Sequence, residues 1–295
     1  MLSRLFKVQP VVDEANQQWI FDSFAWCVAQ LKDNSFQTCP QLILTETLYP
    51  KNIRCTEAIA EKVLISICQY TGIPSSLITL TPVDYFPQHS LMEQEINNLT
   101  HSSITKAIKK PFFATTFYNE NHLSGSNKAD KNTSKTLDIP YHSSQVEQPD
   151  EFITYLVKVQ LDYLIKQKGI PTPLRHKGYQ QTSITTIDLI ACFMGFGFIF
   201  TKTAESLNVA TEINEKNKAK MNLPSAELIY ALALFCAIND CDIKNLKQEF
   251  SSDLYKLFVK AYKEVSLYLQ KTNNPAHMLK QVNHFAALKR YTSKV

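Results

Sequence analysis

Glycine is scarce, at six residues in a chain of 295. Phosphate-cradling loops and strand-rich barrels need glycine for tight turns and positive φ, so the scarcity argues against both. Long apolar runs are missing too. The longest, Leu189 to Phe200, has twelve residues, short of the roughly 20 that span a bilayer. The opening Met1-Leu-Ser-Arg-Leu-Phe-Lys7 has no apolar stretch of signal-peptide length. The seven cysteines (Cys27, Cys39, Cys55, Cys68, Cys192, Cys236 and Cys241) show no paired spacing. An odd count in a chain this long reads as free thiols in a reducing compartment, and the expected location is the cytoplasm.

What is present is an ordinary globular composition, with 44% hydrophobic and 20% charged residues. That apolar content excludes global disorder. The net charge of +4 is too mild to imply nucleic-acid binding. It is unevenly spread. From Ile243 to the end, ten Lys/Arg against three acids (Glu249, Asp253, Glu264) give +7, which leaves −3 of the +4 for the rest. A basic helical end could meet an acidic partner or an anionic surface; the plainer reading is a solvated lysine face.

Apolar spacing predicts a helix over Asp13 to Asp33, with Ile20, Phe24, Cys27, Val28 and Leu31 on one side and Asp13 as cap. Trp19 and Trp26, seven apart, share a face there. A second helix is predicted over Thr56 to Tyr70, closed by Gly72 and Pro74. Strands are predicted at Gln41 to Leu44, Leu77 to Tyr85 and Pro111 to Tyr118, with a short extended piece at Leu137 to Tyr141. Residues 119–136, rich in Asn, Ser, Lys and Gly, read as an exposed loop of disorder-prone composition inside the domain. Beyond it the chain reads as helical: Asp150 to Lys168, Ser183 to Ala204, Ser225 to Asn239 with Ser225 as cap, Leu246 to Lys271, and Pro275 to Arg290.

Most chemistry-bearing motifs are absent. None of the seven histidines (His89, His101, His122, His142, His176, His277, His284) has a partner four residues away to share a metal on one helix face. Neither GxxxxGK[ST] nor GxSxG occurs. Gly195-Phe196-Gly197 lies inside an apolar helical run, where small residues allow close helix packing. Arg175-His176-Lys177 could bind an anion, though a plain surface loop is the favoured reading.

Two helices read together carry a resemblance. The first is Pro149-Asp-Glu-Phe-Ile-Thr-Tyr-Leu-Val-Lys-Val-Gln-Leu-Asp-Tyr-Leu-Ile165, the second Thr186-Ile-Asp-Leu-Ile-Ala-Cys-Phe-Met-Gly-Phe-Gly-Phe-Ile-Phe-Thr201. They resemble an uncharacterised bacterial group of zincin-like proteins, in which a HELAHYL helix after a Pro-acid start is followed by a T-D-L-L-x-x-F-x-G-F-G-x-F helix. Leu223 to Phe235 and, more loosely, Leu42 to Pro50 are similar to other segments of that group. Aligned on Tyr163-Leu-Ile165, the H-E-x-x-H positions fall on Lys158, Val159 and Asp162, while Asp188 keeps its type. In the family pattern two neutral imidazoles bind zinc and the glutamate takes a proton from the metal-bound water. A lysine cation does not ligate at neutral pH, and valine accepts no proton.

The resemblance therefore implies a single zincin-like domain over residues 1–295. The expected fold class is α+β, mainly α, with a helical bundle core and a few short strands in the N-terminal half. It implies a vestigial site at Lys158, Val159, Asp162 and Asp188, with no catalytic residue, no metal and no cofactor. Lys158 is expected either to sit near the position the metal would take, paired with Asp162 and with Asp188, or to form an ordinary surface pair with Asp162 four residues on. The function expected is that of a pseudopeptidase acting on a protein partner by binding or regulation, without membrane insertion or nucleic acid. Two alternatives stand beside it. One is a metal-dependent hydrolase using Asp162, Asp188 and His142 or His176; the other is an interaction protein using the basic C-terminal helices.

Overall fold

The computed structural model describes residues 9–31, 41–83, 137–168, 173, 182–210 and 223–271. The strand expected at 111–118, the loop at 119–136, the helix at 275–290 and residues 175–177 lie outside them. The described chain is mainly helical with two short strands in its N-terminal half, the α+β class expected. It divides into two compact units. One holds Leu44–Pro171 with Ala210–Met221; the other holds Met1–Ile43, Thr172–Val209 and Asn222–Val295.

The strand-containing unit begins with a single helical turn, Thr45–Leu48. Its first long helix, Thr56–Thr71, buries Ile59, Ala60, Val63, Leu64, Ile67, Cys68 and Thr71, a stripe at helical spacing. Gly72, at φ 68, closes it in the left-handed conformation that glycine adopts without strain. Strands β1 (Ile78–Pro82) and β2 (Leu137–Tyr141) then pair in parallel, Ile78 opposite Leu137 and Pro82 opposite Tyr141. Leu137, Ile139 and Tyr141 of β2 point inward, as the two-residue period requires. The short helix Ser143–Val146 follows, and then the long helix Pro149–Lys168, anchored to β2 by the Tyr155 hydroxyl donating to the Pro140 carbonyl at 2.8 Å.

In chain order the helices are α1 (Glu14–Gln30), α2 (Thr45–Leu48), α3 (Thr56–Thr71), α4 (Ser143–Val146), α5 (Pro149–Lys168), α6 (Thr182–Ala191), α7 (Gly197–Ala210), α8 (Ser225–Ile238), α9 (Leu246–Glu249) and α10 (Ser252–Lys271). The all-helical unit is built on α8, in which every residue from Glu227 to Ala237 is buried. Helix α1 starts as expected, the Asp13 side chain accepting from the Asn16 amide at 2.8 Å. It buries Trp19, Ile20, Phe24, Cys27 and Val28, while Trp26 stays half-buried. Helix α10 turns Leu254, Phe258, Ala261, Val265 and Leu269 inward and packs along α8.

Three boundaries differ from the sequence expectation, each for a contact remote in sequence. The helix expected over 183–204 is two helices, α6 and α7, joined by a π-type turn at Cys192–Phe196 in which Gly195 takes φ 95. Residues 41–44 form no strand; the Ile43 amide instead donates to the Gly195 carbonyl at 3.0 Å. A Cβ on Gly195 would lie 2.4 Å from the Gln41 carbonyl oxygen, so the kink and the crossing segment both require glycine. Gly197 has the helix-packing role expected, its Cα facing Leu232 of α8. The helix expected over 246–271 breaks at Phe250, whose ring stands 5.1 Å from Phe198 and 6.1 Å from Phe258. Ser251 then starts α10, its hydroxyl accepting from the Leu254 amide. A fourth, local difference is that the N-cap position of α8 falls on Pro224, with no side-chain cap bond, rather than on Ser225.

Candidate functional site

Three of the four candidate positions lie on α5. Pro149 is its first residue, where a missing N–H is harmless, and Asp150 and Glu151 fill the first turn. Asp150 accepts a hydrogen bond from the Thr45 hydroxyl. Burial, and then the neighbouring Asp150 charge, raise the pKa of Glu151 above its ordinary 4.5.

Further along, every side chain from Phe152 to Tyr163 is buried. A helix enclosed on all faces is ordinarily apolar all round. This one carries Thr154, Lys158, Gln160 and Asp162 in that stretch. Lys158 is 2% exposed, so it turns inward rather than to solvent. Removing an ammonium from water costs several kcal/mol, more than the roughly 1.5–3 kcal/mol that an aliphatic side chain gains by burial. Specific contacts, rather than general burial, must therefore hold it. Val159 packs as a core side chain at 6%. Asp162 is buried at its base, and its Oδ2 lies 2.5 Å from the Lys166 Nζ, one turn toward the C-terminus. The polar neighbour Gln160 accepts from the Thr71 hydroxyl at 3.0 Å and from the Cys68 thiol at 3.8 Å. Its Nε2 has no hydrogen-bond partner among the described residues.

Asp188 lies on α6, in the other unit. It is 1% exposed, and its Oδ2 accepts from the Leu223 amide at 2.9 Å. That carboxylate fastens the entry of α8 to α6, beside the positive end of the α8 dipole. Glu227 is buried in the first turn of the same helix. His142 caps α4: its Nδ1 accepts from the Ser144 amide at 3.2 Å, and its own amide donates to Gln145 Oε1 at 2.8 Å. His176 lies outside the described residues. Among the described residues no three His, Cys, Asp or Glu side chains form a group that could hold a metal ion.

Sequence reasoning missed Lys166 as a partner of Asp162 and the Leu223 amide as a partner of Asp188. The first was within reach. An acid four residues before a base on a helix pairs better than the reverse order, which favours Asp162–Lys166 over Lys158–Asp162. The second had no sequence signal, because Asp188 and Leu223 are 35 positions apart. Comparison with protein-family models, with curated proteins and with solved structures finds no match.

Proposed function

We propose that this chain is a zincin-like protein that has lost peptidase chemistry and acts by binding, as a scaffold or regulator of a protein partner in the cytoplasm. One observation carries the reading: the buried Lys158. If α5 descends from a HELAHYL-type helix, the first zinc-ligand position now holds an inward-facing cation. The base position is the core side chain Val159, and the remaining ligand position, Asp162, is engaged by Lys166. A cation in that place substitutes for the charge of the metal and excludes the ion itself.

Metal analysis of untagged protein, with melting curves before and after chelation, tests this. Metal-free protein with an unchanged melting temperature is the expected result. Stoichiometric zinc, or a large fall in melting temperature on chelation, would overturn it in favour of the hydrolase reading.

A second reading places the binding surface on the basic C-terminal helices. It is favoured by α10, where Lys256 and Lys263 are exposed opposite the buried Leu254–Phe258–Val265 stripe. A partner held there should co-purify at low salt and be lost at high salt. Lys256→Glu with Lys263→Glu should abolish the interaction; a complex indifferent to salt and to both changes contradicts this surface.

A further inference from the structure

Helix α8 ends in a left-handed turn that brings two thiols together. Asn239 is its C-cap, Asp240 follows at φ 49, and the Cys241 amide donates to the Cys236 carbonyl at 3.1 Å. That six-to-one hydrogen bond defines a Schellman cap, in which the side chains three residues before the cap and two after it come into contact. Such pairs are ordinarily apolar. Here they are Cys236 and Cys241, and the two thiols hydrogen-bond to each other. The backbone bond, extended by the N–Cα link and the Cα–C=O group at its ends, keeps the two Cα atoms within about 7 Å, inside the limit for a disulfide.

The surroundings make the two sulfurs unequal. Cys236 is fully buried, whereas Cys241 is partly exposed. The Cys236 hydrogen bond, helped by one from the Leu42 backbone, draws the pKa of Cys241 below the ordinary 9.0, although burial and the Asp240 charge oppose it. The hydrogen bond to Cys241, burial, and the charges of Cys241 and Cys192 push that of Cys236 well up. Tyr262 of α10 also stands in the electrostatic reach of both sulfurs. A partly exposed thiol beside a second, buried thiol is the arrangement of a redox-reactive pair.

We propose that Cys236 and Cys241 form a peroxide-reactive dithiol, with Cys241 attacking and Cys236 resolving. The Cys241 thiolate attacks one oxygen of hydrogen peroxide; the S–O bond forms, the O–O bond breaks, and hydroxide leaves to take up the thiol's proton as water. The Cys236 sulfur then attacks the resulting sulfenic acid. The S–S bond forms, the S–O bond breaks, and a second water carries away the Cys236 proton. Two thiols lose two electrons and the peroxide gains them. A thiol reductant of the glutathione class reverses the change by exchange. This chemistry goes beyond the binding reading and does not rest on it.

The test uses the full, reduced chain exposed to a small molar excess of hydrogen peroxide, then alkylated with iodoacetamide and digested with trypsin. Lys220 and Lys244 bound one peptide, 221–244, that contains both cysteines and no other. The expected product is that peptide with two hydrogens lost, refractory to alkylation until reduced, while two of the chain's seven thiols disappear. Cys236→Ser should halt the reaction at a sulfenic acid on Cys241 that dimedone traps, and Cys241→Ser should lose that label. A wild-type peptide 221–244 that stays fully alkylatable while peroxide oxidises other cysteines overturns the proposal. So does a disulfide that joins Cys241 to any cysteine but Cys236. Mapping the wild-type chain needs no variant, so the test stays decisive even where a variant fails to fold.

Discussion

On α5 two lysines flank one aspartate at equal spacing, and their surroundings make them unequal. Lys166 has a side chain 41% exposed and pairs with Asp162 near solvent, where such pairs contribute at most about 1 kcal/mol. Lys158 is enclosed, and the contact it makes is made away from water. Lys166→Ala should therefore shift stability by no more than about 1 kcal/mol. Lys158→Met, which keeps the volume but removes the enclosed ammonium and its contact, should move stability by more, on the order of 3 kcal/mol if that contact is an ion pair. Urea midpoints of the two variants compare them directly; equal, small shifts would show that the buried ammonium holds nothing. Gly195 and Gly197 offer a second contrast. Gly195→Ala meets both a positive φ and a backbone oxygen at 2.4 Å, and should destabilise by more than about 2 kcal/mol. Gly197→Ala meets the Cys192 and Leu232 side chains at 3.3 Å and the Cys192 Cα at 3.4 Å, without a positive φ, and regains helix propensity, so its thermal shift should be much smaller.

At the level of elements, much of the fold was legible where the signal was local. The Asp13 cap, the Gly72 stop and the apolar stripe of α3 are each written within a few residues of where they act. The breaks were not legible, because each answers a contact far along the chain. Ile43 meets Gly195 across 152 positions (195 − 43), and Phe250 leaves its helix to reach Phe198. The same limit applies to the candidate site. Residue types at Lys158, Val159 and Asp162 were readable, and so was the spacing of Asp162 and Lys166, but burial came only with packing. Asp188 makes the point testable, since its carboxylate holds the Leu223 amide at the entry of α8. Asp188→Ala leaves that buried N–H without its acceptor and should cost about 1–3 kcal/mol. Asp188→Asn keeps an acceptor oxygen and should cost less, a ranking that denaturant titration reads out.

For the molecule as a whole, one segment among the described residues, Thr185–Ser206, is long and apolar enough to cross a membrane, with mean hydropathy 1.5. It is 89% buried and kinked at Gly195. The strand pair has a different kind of reach. Ile78 and Leu137, its first partners, are 59 positions apart (137 − 78), and closing a chain segment of that length costs about 4 kcal/mol in entropy. Two five-residue strands return little until that closure is complete. The helices beside them draw on contacts within their own turns. Folding should therefore begin in α3 and α5, with the ladder joining afterwards. In pulsed hydrogen exchange during refolding, amides of α3 should become protected before those of β1; simultaneous protection would place the strands in the nucleus. The parallel pair would then act as a late latch, registering that the intervening chain has found its way back.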